Sequence, residues 1–283
     1  MKIAISGAKG GSGKTWLATN LACTLLTKGQ EVSFLDTDVE EPNAHLFLKP
    51  EIERTERVNV LVPKVNGSLC DGCGECHRFC AFNAILPLGS ETLVFHELCH
   101  GCGGCAMVCP KNAIKEVPLA IGTVSEGRRG SLTFAMGTLD IGYPRPGPVI
   151  EAVQKKAKAS SLTIIDTPPG TSCPVVQALS GVSFVLAILE ATPFGLSDFR
   201  LALKMLERLK VPFGVVLNRL LPSGEREAMD TLYDMRIEPM AAFNEDVRIA
   251  KAYAEGRLAI ESVPGIGQAF ERLAQDLLAR TLQ

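Results

Sequence analysis

Met1-Lys2-Ile3-Ala4-Ile5-Ser6-Gly7-Ala8-Lys9-Gly10-Gly11-Ser12-Gly13-Lys14-Thr15-Trp16 opens the chain. Residues 2–6 alternate as a short strand and residues 7–13 form a glycine-rich turn. From Thr15 to Lys28, Leu17, Ala18, Leu21, Ala22 and Leu25 recur at helical spacing until Gly29 stops them. Strand, glycine turn and helix in that order provide the context a phosphate cradle needs. Glycines let successive backbone N–H groups turn inward on phosphate oxygens, and the helix N-terminus adds partial positive charge. Lys14 is placed to reach the β- and γ-phosphates, and Thr15 to offer its hydroxyl to Mg²⁺. Trp16, next in the helix, is counted with residues 9–15 among the nucleotide contacts.

Working outward, residues 31–36 and 162–166 read as buried strands, and each ends on an acid. Asp36 lies in Leu35-Asp36-Thr37-Asp38, and Asp166 in Ile165-Asp166-Thr167-Pro168-Pro169-Gly170. Further strands are expected at 183–189 and 213–218, the last running into Asn218-Arg219. Helical spacing occupies 149–159, 197–210 and 225–235, and a C-terminal helical stretch carries Phe270, Leu273, Leu277 and Leu278. Strand–helix alternation of this kind predicts an α/β fold with a mostly parallel sheet. Ligands of such sheets bind beyond the carboxyl ends of the strands, which brings the strand-end acids toward the glycine turn. Residues 122–148 are rich in Gly and Pro and read as irregular.

The chain has 283 residues, 46% hydrophobic and 21% charged, enough to bury a sizeable core. Its charge, 29 − 31 = −2, gives no basic excess for nucleic acid or an anionic membrane. Aromatics are 6%, which argues against a base-stacking platform. No charged-then-apolar leader is visible, and the longest apolar run, 182–189, is far short of the roughly 20 residues of a membrane span. The C-terminal helix carries balanced charge and is expected to dock on the core. A cytoplasmic protein without a stable membrane anchor is expected.

Eight of the ten cysteines lie between residues 70 and 109. Clustered thiols without a secretion signal point to metal. Cys70, Cys73, Cys76 and Cys80 are followed by Cys99, Cys102, Cys105 and Cys109, each run spaced x-x, x-x, x-x-x. The runs repeat at an offset of 29 residues, and Asn83-Ala84-Ile85 matches Asn112-Ala113-Ile114. The spacing resembles that of bacterial ferredoxins with two [4Fe–4S] clusters. That resemblance assigns Cys70, Cys73, Cys76 and Cys109 to one cluster and Cys80, Cys99, Cys102 and Cys105 to the other. Zinc is the competing account, but structural zinc has no need of a third cysteine at the next three-residue step, twice over. Ala81 stands where the ferredoxin pattern, and Pro110 here, have proline. With α/β pattern on both sides, residues 63–117 read as an inserted small α+β domain and residues 1–62 with 118–283 as the surrounding one. Cys23 and Cys173 are expected to pack, and His77 and His100 to be exposed turn residues.

The Lys9-Gly10-Gly11-Ser12-Gly13-Lys14-Thr15 form resembles the deviant phosphate loop of the MinD/ParA ATPases. Residues 36–43 and 190–198 resemble the members that carry a ferredoxin insertion. The resemblance implies a MinD-like P-loop ATPase that binds ATP and Mg²⁺ and forms an ATP-dependent homodimer, with Lys9 crossing to the partner's nucleotide. It implies that Asp36 and Asp166 serve the Mg²⁺, that Asp38 positions the attacking water, and that Pro168 to Gly170 sense the γ-phosphate. Asn218 and Arg219 would meet the adenine, and residues 239–256 would close over it. The expected function is ATP-gated electron transfer with an unidentified redox partner. The alternative is assembly or delivery of an iron–sulfur or other metal cofactor.

Overall fold

The computed structural model describes residues 1–89, 91–159 and 161–281. Its strands are β1 Lys2–Gly7, β2 Val32–Asp36, β3 Glu51–Val65, β4 Ile85–Leu88, β5 Glu91–Val94, β6 Ile114–Arg129, β7 Leu132–Leu139, β8 Leu162–Asp166, β9 Phe184–Glu190, β10 Phe213–Leu220 and β11 Pro239–Asn244. Nine of them form one sheet in the order β11-β10-β9-β1-β8-β2-β7-β6-β3. The pairs from β11 through β7 are parallel. β1, β2 and β8 are buried along nearly their whole length, as parallel strands covered on both faces must be. Their register sets Asp36 directly opposite Asp166.

The helix Lys14–Thr27 lies almost entirely inside the core, with Leu17, Leu21 and Leu25 fully buried. The helix Ile266–Thr281 packs on it through Phe270, Leu273 and Leu277, also fully buried, so the expected docking on the core is what is found. Leu282, at the far end of that reading, lies outside the described residues. Trp16 meets Phe243 and Phe270 edge-on, with ring centroids 4.9 and 5.3 Å apart. Each such buried side chain contributes about 1.5–3 kcal/mol. Among the described residues no helix is long and apolar enough to cross a membrane.

Three strands are not among those expected: no element is assigned to the residues of β3, β6 runs into the Gly- and Pro-rich stretch 122–148, and β7 lies within it. Gly130, with φ +56°, makes the turn between β6 and β7. Gly127 lies where the backbone of Glu51 leaves no room for a Cβ, so glycine here permits close strand approach. Residues 239–256 are also not a loop. They hold β11 and the helix Val247–Ala254.

The chain divides into two compact units. The first comprises Met1–Thr55, Val124–Thr138 and Ile150–Gln283. The second comprises Glu56–Thr123 with Leu139–Val149, whereas the sequence reading set an insertion at 63–117. Within the second unit β4 and β5 pair antiparallel, and short helices occupy Glu75–Phe79 and Gly104–Met107. The 29-residue repeat is also a backbone repeat. Gly72, Gly74 and Asn83 have positive φ, as do Gly101, Gly103 and Asn112. The Asn66 N–H donates to the Ala113 carbonyl (2.7 Å), and at the matching positions the Phe95 N–H donates to that of Ala84 (2.8 Å).

Candidate functional site

The glycine turn delivers the helix Lys14–Thr27 with Gly13 as its N-cap at φ 98°, a conformation glycine adopts without strain. The Asn218 amide donates from Nδ2 to the Ser12 carbonyl (2.8 Å) and occupies the place a Cβ on Gly13 would need. Asn218 thus braces the loop from the end of β10, and its Oδ1 is left to accept. Lys14 is buried, and its Nζ lies 3.5 Å from the Lys9 carbonyl. The Thr15 hydroxyl donates to Asp166 Oδ2 (2.5 Å).

The strand-end carboxylates gather beside this loop. Asp36 is wholly buried and accepts from the backbone N–H groups of Asp38, Asn43 and Ala44 at 3.0–3.2 Å. Burial, and then the charge of Asp166, hold its carboxyl well above the usual carboxylate range. Burial pushes Asp166 up to about 7, opposed by the Thr15 hydroxyl and the Lys14 ammonium. Asp38 is pushed up to about 6 by burial, with Lys14 again opposing. Among the described residues, Asp166 Oδ1 and Ser12 Oγ are buried without a hydrogen-bond partner. A buried orphan of this kind is costly unless a ligand completes it. Hard oxygen donors from Thr15, Asp36 and Asp166 suit Mg²⁺.

A cavity of about 360 Å³ opens over the loop. It is lined by Gly10, Gly11, Gly13, Lys14, Thr15 and Trp16 from the turn and helix, together with Asp38, Asn218 and Arg219. Lys9, Ser12, Asp36, Asp166, Pro168 and Gly170 stand behind or beside that lining, and Pro169 takes the place expected of Pro168. The Gly170 N–H donates to the Gly7 carbonyl (3.1 Å), tying the segment after β8 to the loop. Lys9 does not reach away from its own chain. Its Nζ pairs with Glu190 Oε2 at the end of β9, 3.0 Å away. Glu41, Asn43, Ile249 and Tyr253 also line the cavity and were not singled out from the sequence. Tyr253, packed on Phe47 at 4.5 Å, lies within the 239–256 stretch.

In the second unit the eight clustered cysteines line two cavities. One, about 20 Å³, is lined by Cys70, Cys73, Cys76 and Cys109. The other, about 220 Å³, holds Cys80, Cys99, Cys102 and Cys105. Backbone N–H groups of Ala84, Gly101 and Ala113 donate to Sγ of Cys80, Cys99 and Cys109 at 3.3–3.4 Å. Among the described residues, no three His, Cys, Asp or Glu side chains converge to hold a metal ion. His77 is not an exposed turn residue. It sits half-buried in a helix, with Nδ1 3.0 Å from the Ile85 carbonyl. His100 is exposed, its ring stacked on Phe82. Cys23 is buried as expected, whereas Cys173 is exposed, because the helix it opens turns its first residue outward.

The chain matches the CobQ/CobB/MinD/ParA nucleotide binding domain over residues 3–259. It is 28% identical over 262 residues to the uncharacterized protein MJ0579 of Methanocaldococcus jannaschii, covering 90% of each. It is 35% identical over 224 residues to the uncharacterized protein MJ0578 of that organism, covering 77% of this chain and 78% of that one. Among solved structures it is similar to the septum site-determining protein MinD complexed with Mg-ADP from Pyrococcus horikoshii, with a TM-score of 0.61. That likeness covers 98% of this chain and 96% of the other at 19% identity, and it speaks for the fold. Glycine turn, strand-end acids and parallel sheet thus coincide with the family match, and the chain belongs to the CobQ/CobB/MinD/ParA nucleotide-binding family.

Proposed function

We propose that this chain is a Mg²⁺-dependent ATPase that carries two [4Fe–4S] clusters in an inserted ferredoxin-like domain and uses ATP-dependent dimerisation to gate electron transfer with a protein partner. The observation that carries the reading is the sorting of eight cysteines into two quartets. Each quartet takes three thiols from one run and one from the other, around a separate cavity. That crossed set is what the ferredoxin spacing implies. All-thiol donors with backbone N–H groups aimed at three of the sulfurs suit an iron–sulfur group. Bound there, such a group supplies one-electron chemistry.

At the nucleotide site, residues 10–13 hold the phosphates through backbone N–H groups and Lys14 offsets their charge. Thr15, Asp36 and Asp166 would hold Mg²⁺, and the orphaned Asp166 Oδ1 would gain a partner there. Asp38, at the cavity wall, accepts a hydrogen bond from the attacking water and aligns it with the γ-phosphorus. The Pro168–Gly170 segment, anchored to Gly7, senses whether a γ-phosphate is present. Asn218 Oδ1 and Arg219 meet the base. Lys9 leaves Glu190 for the nucleotide of a second copy when the dimer closes.

The test is anaerobic purification followed by electron transfer to acceptors with and without ATP. The expected result is about eight iron atoms and eight sulfides per chain, with transfer to the physiological partner dependent on ATP and lost in Lys14→Ala. Stoichiometric zinc, or a transfer rate indifferent to nucleotide, overturns the proposal. The exposure of Cys73 and Cys102, one in each quartet, favours a second reading in which the chain delivers metal. That reading predicts loss of iron during turnover, and full retention overturns it.

A further inference from the structure

The two cysteine cavities share one frame but not one mouth. A shift of 29 residues carries Cys70, Gly72, Cys73, Gly74 and Cys76 of the first lining onto Cys99, Gly101, Cys102, Gly103 and Cys105 of the second. At the lips the repeat fails. The first cavity carries Asp71 and Lys111, joined by an ion pair of 3.5 Å. The same repeat positions of the second carry His100 and Phe82. Their rings stack face to face, 3.7 Å between centroids and 10° from parallel. A second ion pair, Glu75 with Arg78, stands beside the first cavity. Its counterparts are Gly104 and Met107. Gly104 has no room for a Cβ because the Phe79 ring lies against it, and Met107 is 86% exposed. At these four positions a charge beside the first cavity is answered by an uncharged or aromatic group, or by no side chain, beside the second, while at one further position the exchange is reversed, with Pro87 on the first lining and Glu116 on the second.

We propose that the second cavity is the port through which electrons enter and leave this chain, with Phe82 and His100 as the contact for a planar one-electron carrier. The inference rests on the iron–sulfur reading above. Close approach of a carrier requires the lip to shed water. Two ion pairs hold their hydration, and stripping charged groups of water costs several kcal/mol per ion. A stacked aromatic pair sheds water readily, and Phe82 of that pair is 43% exposed, with Phe79 beside it 54% exposed. Ring faces receive flat partners in offset stacks and attract cationic ones. The second cavity is also the larger of the two, about 220 Å³ against about 20 Å³. One electron crosses the lip between the thiolate-held group and the carrier. The donor is oxidised by one unit and the acceptor reduced by one, with no bond formed or broken and no proton moved.

The test exchanges the lips. The full chain, anaerobically loaded and reduced with dithionite, is mixed in stopped flow with oxidised methyl viologen, a planar dication reduced to its radical cation. Cluster potentials are followed separately by electron paramagnetic resonance, so that a change of driving force is distinguished from a change of access. The wild type is expected to show a fast phase, and Phe82→Lys with His100→Asp, the residues of the first lip, to slow it about tenfold. Asp71→His with Lys111→Phe should accelerate the slow phase. Exchange unchanged within about twofold in fully loaded variants overturns the port. Should the charged pair fail to load, Phe82→Leu with His100→Gln keeps the lip uncharged but removes the stack, and an unchanged rate there overturns the port equally. A wild-type chain that holds no iron overturns the underlying reading, and the port with it.

Discussion

Glu190 occupies the lysine that, in the dimer proposed above, a partner's nucleotide would need. The Lys9–Glu190 pair spans 3.0 Å with Lys9 about one-third exposed, and such partly exposed pairs are worth up to about 1 kcal/mol. Breaking it releases Lys9 at little cost to the fold. Glu190→Gln is therefore expected to lower the ATP concentration for half-maximal dimerisation by about two- to fivefold, read by analytical ultracentrifugation. An unchanged or higher requirement would count against the pair as a brake. Asp38 makes a second residue-scale prediction. Its raised pKa, about 6, means that, in the proposed role, the carboxylate that would hold the attacking water forms only above that pH. kcat/KM for ATP, which reports the free enzyme, should fall first near pH 7 through Asp166 and more steeply below pH 6 through Asp38. Asp38→Asn should be slow at every pH and keep only the limb near pH 7. Cys23 and Cys173 part ways for the same physical reason. Burial holds the Cys23 thiol up at about 11, whereas Cys173 is exposed. Iodoacetamide at pH 8 should modify Cys173 in the folded chain, and Cys23 only after denaturation, as mass spectrometry would show. At this scale the placement of Lys14 and Thr15 on the cavity lining was legible because motif spacing ties residue type to position, and that of Asp38 through the family resemblance. Glu190 and Tyr253 were not, since their partners lie more than 180 residues away in sequence.

Elements were legible where one period dominates. β8 runs from Leu162 to Asp166 as its short, mostly apolar stretch predicts, and the helix after the glycine turn follows its leucines. β3, β6 and β7 escaped notice because their polar alternation is interrupted by proline and glycine. In a sheet built mainly by tertiary contact, propensity yields to packing. Gly127 shows the mechanism, for its missing side chain is what lets the Glu51 backbone come close. Gly127→Ala is expected to destabilise the chain by about 1–3 kcal/mol through forced separation of two strands. The urea midpoint measures this, and Gly130→Ala, in open space at φ +56°, provides a control in which only turn strain acts. A neutral Gly127→Ala would mean the strands can part without loss.

The two compact units differ most in what holds them together. The first has a continuous core that includes Phe34, Phe134, Phe270 and the leucines of two helices. The second has, among the described residues, small clusters. One is built on Val62, Ala84 and Cys99, the other on Cys76, Ile85 and Ile114, so cysteines stand where a larger domain would place leucine. The 79 residues of this unit, around so little apolar volume, fall short of independent stability without a staple, which a bound inorganic group can supply. Calorimetry of the anaerobically loaded chain should therefore show two transitions. Removing iron with a chelator should lower the one belonging to the second unit by tens of degrees or abolish it. ATP with Mg²⁺ should raise the other, by about 2.7 kcal/mol at a hundredfold excess over Kd. Lys14→Ala should cancel the nucleotide shift and leave the iron-dependent transition in place. If chelation moved neither transition, the cysteines would not be staples, and both the cluster assignment and the port built on it would have to be abandoned.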